Sequence, residues 1–188
     1  MHARVQMDIE IRSATPADAA AACEALRRSI SECCQEDHKN DEAILAAWLG
    51  NKNSGMVATW FSSAANYALL ATYGDEVVGV ALLTRAGKIA LCYVTPETLY
   101  KGAGKELLRG LEQQASEWNL PWVKVLSTAS ARDFYVRNGF IACGDAPSAF
   151  GTAGHKLIKQ LSGPAMPEEQ LKKLFCGCTA QNGTQNAV

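Results

Sequence analysis

Two glycines one residue apart, Gly102 and Gly104, lie between Lys101 and Lys105 and open a run of helical character. Small residues at a helix start expose backbone N–H groups at the positive end of the helix dipole, and the lysines add formal charge. This composition is typical of a site for an anion such as a phosphate. A tight turn before a surface helix would show the same residues, so both interpretations stay open for this segment alone.

Two familiar phosphate motifs do not fit the segment. A P-loop reads G-x-x-x-x-G-K-[ST], and its hydroxyl binds magnesium. Here Glu106 follows Lys105, and Leu99 stands where the first glycine would be. The dinucleotide fingerprint G-x-G-x-x-G requires a third glycine, and that position is Leu107. Both departures count against an enzyme that binds a nucleotide through either motif.

Hydrophobic periodicity predicts the elements that position this loop. Residues 7–12 alternate as a half-buried strand does, and Thr15 followed by Pro16 marks a helix start. The other predicted elements, in chain order, are helices at 41–49 and 57–63, strands at 67–72, 76–84 and 88–94, a helix from the glycine loop to 119, a strand at 122–127, a helix at 129–137 and two final strands. Antiparallel hairpins followed by a strand–helix–strand unit predict a mixed α/β sheet with helices on its faces.

Composition narrows the class of protein. The chain has 188 residues, a formal net charge of −1 and seven cysteines at irregular spacing. A broad basic surface for nucleic acid is therefore not expected. The odd cysteine count favours free thiols in a reducing compartment. No secretory leader and no run of about 18 apolar residues is evident. We expect a cytoplasmic protein without a membrane span.

The end of the chain differs from the rest. After residue 161 the sequence becomes polar and rich in proline, glycine and asparagine. We predict a domain over 1–161 and a tail over 162–188 that contains a possible short helix. The tail includes Cys176 and Cys178, but a zinc site needs about four ligands and no histidine lies close by. We therefore expect no metal.

Two segments resemble a known family. "IALCYVTPETLYKGAGKELL" (89–108) is similar to motif A of the GNAT superfamily of acyl-CoA-dependent N-acyltransferases, and "VKVLSTASARDFYVRNGF" (123–140) is similar to its motif B. The matching residues are Val94, Pro96, Glu97, Gly102 and Gly104 in the first, and Ala131, Tyr135, Gly139 and Phe140 in the second. The resemblance covers roughly 7–161, and within the superfamily the chain looks like a group of small bacterial acetyltransferases.

The resemblance implies a fold and an activity. The fold would be the GNAT fold, with a central, mostly antiparallel sheet of six to seven strands flanked by about four helices. The activity would be acetyl transfer from acetyl-CoA to a primary amine of a small molecule or peptide, in a possible homodimer. A non-catalytic CoA-binding or regulatory module is the alternative. The acceptor would be bound by residues at about 29–66, a segment that holds Trp48 and Trp60.

The resemblance also implies the residues that contact acetyl-CoA. They are Cys92, Tyr93 and Val94 beside the pantetheine arm, Leu99, Tyr100, Lys101, Gly102, Ala103, Gly104 and Lys105 around the pyrophosphate, and Thr128 at the start of motif B. Three of these depart from the family pattern. Leu99 replaces an Arg or Gln, Tyr100 replaces a glycine and Thr128 replaces an Asn, so backbone N–H groups must do most of the binding.

Tyr135 is the implied general acid. A phenol with a pKa of about 10 has a proton to offer to a CoA thiolate, whose conjugate thiol has a pKa of about 8.5. The alternative is that Tyr135 is a core aromatic beside Phe134. Cys92 has no base near it in sequence, so it is not expected to be a nucleophile.

The general base is left open by the sequence. The candidates are Glu32, Glu36, Asp37, His38 and Glu97. Histidine is a residue type that can serve as a general base near neutral pH, but the polar surroundings of His38, "QEDHKN", favour a solvated loop residue.

Overall fold

The computed structural model describes residues 8–148 and 150–176. Seven strands form one sheet in the order β1-β2-β3-β4-β5-β7-β6. The strands are β1 Ile9–Ser13, β2 Asn66–Tyr73, β3 Glu76–Thr84, β4 Lys88–Val94, β5 Trp122–Ser127, β6 Ile141–Pro147 and β7 Ala153–Gln160. Neighbouring strands are antiparallel except β4 and β5, which are parallel. The predicted mixed, mostly antiparallel sheet is confirmed.

Helices cover both faces of the sheet. They are α1 Ala19–Arg28, α2 Gln35–His38, α3 Glu42–Leu49, α4 Ser54–Ser62, α5 Ala103–Glu117, α6 Ala129–Arg137 and α7 Glu168–Cys176. The described part of the chain thus has more helices than the four expected, because the segment between α1 and β2 is divided into short helices. A π-helical segment, Ser29–Cys33, extends α1 toward the centre of the sheet.

Local sequence explains how α1 begins. Thr15 and Asp18 form a reciprocal capping arrangement, in which the Thr15 N–H donates to the Asp18 carboxylate at 2.8 Å. Pro16 occupies the first position of a short 3-10 turn, where its missing N–H costs no hydrogen bond. The predicted helix start at these residues is confirmed.

The core consists of two layers on opposite faces of the sheet. On one face, α5 buries an apolar stripe, because leucines three and four positions apart share one side of a helix. The stripe is made of Leu107, Leu108, Leu111 and Ala115. On the other face, α1 and α4 bury Ala22, Leu26, Val57 and Trp60 against β3 and β4. The end of β4 is therefore held from both sides.

The segment after the last strand packs on the sheet. Helix α7 lies against β6 and β7, with Leu171 buried. The Phe175 ring lies near two lysines, with centroid distances of 5.7 Å to Lys124 Nζ and 5.9 Å to Lys156 Nζ. The predicted short helix is present. The domain boundary at 161 stays a prediction, and Cys178 and the side chain of Cys176 lie outside the described part of the chain.

Residues 8–148 and 150–176 contain neither a candidate membrane span nor a candidate metal cluster. No helix there has both the length and the apolar composition to cross a membrane. No three His, Cys, Asp or Glu side chains there lie close enough to hold a metal ion. Cys23, Cys33, Cys34 and Cys92 are free thiols.

Candidate active site

The sheet splits along its parallel pair of strands. β4 and β5 pair at only two positions, Lys88–Lys124 and Ile89–Val125. Beyond them β4 runs on to Val94 without pairing with β5, while its other edge stays paired with β3. The backbone groups on one edge of the last four residues of β4 therefore face a cleft. Such an edge can accept an extended ligand by strand-like hydrogen bonding.

The three β4 residues predicted to bind the cosubstrate lie at this split. Cys92 and Val94 pack toward the α5 face, whereas Tyr93 packs toward the α1 face and Trp48. The π-helical segment also reaches this point, because the Cys33 thiol lies 3.8 Å from the Val94 carbonyl oxygen. The end of β4 is thus the place where both core layers and the split meet.

The glycine loop follows directly after β4. Its turns are closed by hydrogen bonds from Leu99 N–H to Pro96 O at 3.3 Å and from Lys101 N–H to Thr98 O at 3.1 Å. Thr98 anchors the loop, since its buried hydroxyl donates to Thr95 O at 3.0 Å. The first turn of α5 begins at Ala103, and helix geometry leaves the N–H groups of that turn without intrahelical partners.

The two glycines of the loop have different roles. Gly102 has φ of +97°, a left-handed conformation that side chains rarely adopt. Gly104 is helical, and a Cβ there would lie at ordinary contact distances of 3.6 Å from Phe134 and 3.9 Å from Val94. Tyr100 also has a left-handed φ, +59°, which explains why a glycine would suit this position. Lys101, Tyr100 and Lys105 are exposed around the loop.

Tyr135 lies beside the end of β4. Its side chain is 4% exposed and packs edge-on against Phe134 and Phe140, at centroid distances of 5.1 Å and 5.3 Å. Its phenol lies beside the Cys92 thiol, whose sulfur is 4.0 Å from the Gly104 carbonyl oxygen. Burial, followed by the influence of Cys92 and Tyr93, raises the pKa of Tyr135 well above its usual value. The phenol is therefore a neutral group that carries a proton at physiological pH.

Cys92 is a poor candidate for a nucleophile. Burial raises the pKa of its thiol to about 12, although the neighbouring Tyr135 phenol lowers it somewhat. Because the thiolate is the reactive form, a thiol with such a pKa is inert at neutral pH. This agrees with the sequence prediction that Cys92 is not catalytic.

Thr128 caps helix α6 at the cleft. Its hydroxyl accepts a hydrogen bond from Ala131 N–H at 3.3 Å and lies 3.2 Å from the Ser130 hydroxyl. Asp37 from α2 reaches the same helix start, since its carboxylate accepts from the Ser130 hydroxyl and from Ser130 N–H. An acidic residue there complements the positive end of the helix dipole. Asp37 thereby fixes α6, which carries Tyr135.

The candidate general bases differ in their partners and in their exposure. The Glu97 carboxylate pairs with Arg28, and this hydrogen bond lowers the pKa of Glu97 to about 2. Glu32 pairs with the same arginine at 3.2 Å, and Glu36 is exposed. A carboxylate with a pKa near 2 is a weak base at neutral pH. Glu97 is therefore not suited to take a proton from an amine.

His38 is buried, so the expectation of a solvated loop residue is wrong. Its side chain is 1% exposed, and its Nδ1 accepts a hydrogen bond from Asn40 N–H at 3.1 Å. The Nε2 atom has no hydrogen-bond partner among the described residues. Polar neighbours in sequence suggested exposure, but α2 turns the ring inward and leaves those neighbours, Lys39 and Asn40, in the left-handed conformation at the surface.

A small cavity of ≈ 120 Å³ lies on the α1 side of the split. Its walls come from α3 and the turn after it, from β4 along most of its length, from the end of β5 and from the loop between β6 and β7, and they include Trp48, Tyr93 and Thr128. The Trp48 ring stacks on Phe150, with a centroid distance of 5.7 Å and an interplanar angle of 10°. The cavity therefore shares its walls with the predicted cosubstrate residues. Of the predicted acceptor segment, Trp48 lines the cavity.

The cavity also contains a residue that the sequence did not single out. Lys52 is 2% exposed and lies among the rings of Trp60 and Phe150. In sequence it belongs to a polar turn, "GNKNSG", and nothing local indicates burial. One feature of the sequence could have suggested its burial: Lys52 lies between two large apolar residues, Trp48 and Trp60.

The fold and the site define a class of protein. Several solved structures share this fold. A GCN5-related N-acetyltransferase from Rhodopseudomonas palustris shares it with a TM-score of 0.74 and 22% identity, over 85% of this chain and 100% of that one.

Two further structures match at similar levels. The PaiA N-acetyltransferase of Thermoplasma acidophilum, solved with coenzyme A, has a TM-score of 0.67 and 20% identity, over 82% of this chain and 99% of that one. YncA of Salmonella typhimurium, a putative acetyltransferase solved with acetyl-CoA, has a TM-score of 0.65 and 20% identity, over 85% of this chain and 97% of that one. At these identities the likeness establishes the fold.

The family is established by sequence. The profile of the acetyltransferase (GNAT) domain matches residues 24–163, which is most of the chain. The chain belongs to the GNAT acetyltransferase family, as its two motifs predict. No curated protein matches the sequence at a significant level.

Proposed function

We propose that this acetyltransferase moves an acetyl group from acetyl-CoA to a primary amine by direct attack. In the balanced step, a bond forms between the amine nitrogen and the acetyl carbon, and the carbon–sulfur bond of the thioester breaks. The amine loses one proton and the leaving thiolate gains one. The observation that carries the proposal is the split beside the end of β4, with the glycine loop on one side and Tyr135 on the other.

The glycine loop fits the diphosphate of the cosubstrate. The N–H groups at the start of α5 and the charges of Lys101 and Lys105 favour an anion there. Leu99 offers its backbone and no charged side chain. In this scheme Tyr100, Gly102, Ala103 and Gly104 contribute backbone groups to the same cradle, and their spacing matches the family motif. Structural neighbours that hold coenzyme A or acetyl-CoA support this assignment.

The end of β4 would hold the reacting part of the cosubstrate. The unpaired edge at Cys92, Tyr93 and Val94 offers backbone groups to the pantetheine arm, and an N–H there would polarise the thioester carbonyl. Thr128 faces the cleft from the other strand, where its hydroxyl already caps α6. Tyr135 would hydrogen-bond to the departing thiolate and give it a proton as the carbon–sulfur bond breaks, and its raised pKa keeps the phenol protonated for that role at neutral pH.

Binding and turnover are tested separately. A thermal shift assay with acetyl-CoA, CoA, ATP and NAD should show stabilisation by the two CoA species alone. Release of free thiol from acetyl-CoA is then measured with a panel of primary amines. Amine-dependent release supports the proposal. Stabilisation by CoA without release for any amine would favour a CoA-binding module, and stabilisation by ATP or NAD would contradict the assignment of the loop.

A further inference from the structure

Lys52 is a buried lysine in the wall of the cavity. Its ammonium nitrogen lies 5.2 Å from the ring centroid of Phe150 and 5.5 Å from that of Trp60. It donates a hydrogen bond to the Asn51 side-chain oxygen at 2.5 Å. Burial lowers the pKa of Lys52 to about 8, opposed in part by Cys23. At neutral pH most of the population therefore carries a buried positive charge.

The position of Lys52 is fixed by its backbone. Its carbonyl oxygen accepts hydrogen bonds from an Arg27 guanidinium nitrogen at 3.0 Å and from the Cys23 thiol at 3.1 Å, and both donors belong to α1. The Lys52 N–H donates to Leu49 O at 2.9 Å. The side chain is thus directed into the cavity from a rigid support rather than from a loose loop.

The charge of Lys52 is not balanced by a carboxylate in the part of the chain that the structure describes. No ion pair joins Lys52 to an Asp or Glu of residues 8–148 or 150–176. An ammonium has three donors, and one of them meets Asn51. Burying a cation without a counter-charge is costly, and polar partners or an anion reduce that cost. Two aromatic rings offset only part of it.

The rest of the cavity suits an anion. Lys88 from β4 also lines it, and no Asp or Glu does so among the described residues. The Ser127 hydroxyl at the wall already donates to Thr128 O at 2.8 Å, but the Ser148 and Thr152 hydroxyls bond each other at 2.6 Å, so one of that pair keeps a proton to donate. Acidic residues of the acceptor segment are used elsewhere: Asp41, for example, caps α3 through bonds to Ala43 N–H and Ile44 N–H.

We propose that Lys52 determines acceptor specificity by binding a carboxylate of the acceptor, so that the substrate is a small amine that carries a carboxylate. The inference rests on the proposed function, because it names the acceptor of that same site. The amine would lie toward Tyr93 and Thr128, where the cavity meets the split, and the carboxylate would lie deeper, against Lys52. The small volume favours an acceptor of amino-acid size.

The test compares matched acceptors and a matched variant. L-amino acids are compared with their carboxamides, which keep the shape and lose the negative charge, and with ethanolamine phosphate as a phosphate-bearing amine. Lys52→Met keeps the apolar stem and removes the charge. Lys173→Met removes an exposed lysine on α7 and serves as the control. Readouts are kcat/KM from thiol release and thermal shifts produced by each acceptor in the presence of CoA.

Wild-type protein should prefer at least one amino acid over its carboxamide by about tenfold or more in kcat/KM. Lys52→Met should abolish that preference through a higher KM for the acid, with the KM for acetyl-CoA unchanged, and Lys173→Met should behave as wild type. Equal use of acids and amides, a preference that survives in Lys52→Met, or a preference for the phosphate would overturn the inference.

The binding readout separates this inference from the proposed function. Stabilisation by amino acids that requires Lys52, without thiol release for any amine, would retain the carboxylate site and reject acetyl transfer. Thiol release with a carboxylate preference that does not depend on Lys52, or with no carboxylate preference, would retain acetyl transfer and reject the carboxylate site at Lys52. If Lys52→Met unfolds at the temperature of wild type or higher, a loss of preference cannot be attributed to misfolding.

Discussion

The phenol of Tyr135 lies beside the thiol of Cys92, close enough for each group to shift the pKa of the other, and this places helix α6 next to the last residues of β4. Phe134 and Phe140 hold the phenol ring from two sides. Asp37 fixes the start of the same helix through Ser130. In the reaction proposed above, this phenol would lie beside the sulfur of the thioester.

Gly102→Ala should disturb the glycine loop, whereas Gly104→Ala should be tolerated by the fold. A side chain at φ +97° is strained, and the expected loss in the free energy of unfolding is about 1–2 kcal/mol. Gly104 is helical and meets Phe134 and Val94 at ordinary contact distances. Chemical denaturation measures both values. A loss for Gly104→Ala as large as that for Gly102→Ala would contradict the distinction between the two glycines.

Glu97→Gln should leave kcat nearly unchanged. The carboxylate is paired with Arg28, and its pKa of about 2 makes it a weak base. Steady-state thiol release across pH 6–9 measures kcat for the variant and for wild type. A fall in kcat of about tenfold or more would restore Glu97 as the general base.

Glu97→Gln should also change how the free energy of unfolding depends on pH. Because the folded-state pKa of Glu97 lies below its ordinary value of 4.5, the ionised pair favours the folded state above that pH. This contribution is lost as pH falls from about 4.5 toward 2. The difference in unfolding free energy between wild type and Glu97→Gln should shrink over this window. A difference independent of pH would mean that the pair does not form in solution.

Lys52 should make the protein more stable as pH rises above 8. Its folded-state pKa is about 8 and its ordinary value is 10.5, so between these values the unfolded chain binds more protons and stability rises with pH. Lys52→Met should lack this rise. Urea denaturation of both proteins at several pH values measures this rise in stability. The nearby Cys23 thiol, whose pKa is raised by burial, must be followed in the same experiments. Parallel curves for the two proteins would show that the ammonium is not buried.

Much of the fold was predictable because its signals are local. Alternating residues indicate β1, leucine spacing indicates α5, and Thr15 with Pro16 marks the first helix start. The split in the sheet was not predicted, because the parallel pair that creates it depends on contacts between segments far apart in sequence. The placement of Tyr135 beside Cys92 likewise depends on tertiary packing.

The acceptor side was the least predictable part. Lys52 and His38 both lie in polar sequence, yet both are buried. Lys52 is covered by Trp48 of α3 and by Phe150 of the β6–β7 loop. Burial of a charged residue is set by these distant elements and leaves no periodic signal. The homodimer, the compartment and the roles of the individual site residues stay predictions.

Tyr135→Phe tests the central claim most directly, with Tyr67→Phe as the control. Both changes remove one phenol oxygen, but Tyr67 packs against Trp118, at a centroid distance of 6.3 Å, away from the split. We measure thiol release at saturating acceptor. The Tyr135 variant should lose about tenfold or more in kcat with little change in the KM for acetyl-CoA, and the Tyr67 variant should match wild type. An unchanged kcat for Tyr135→Phe would contradict its role as the proton donor.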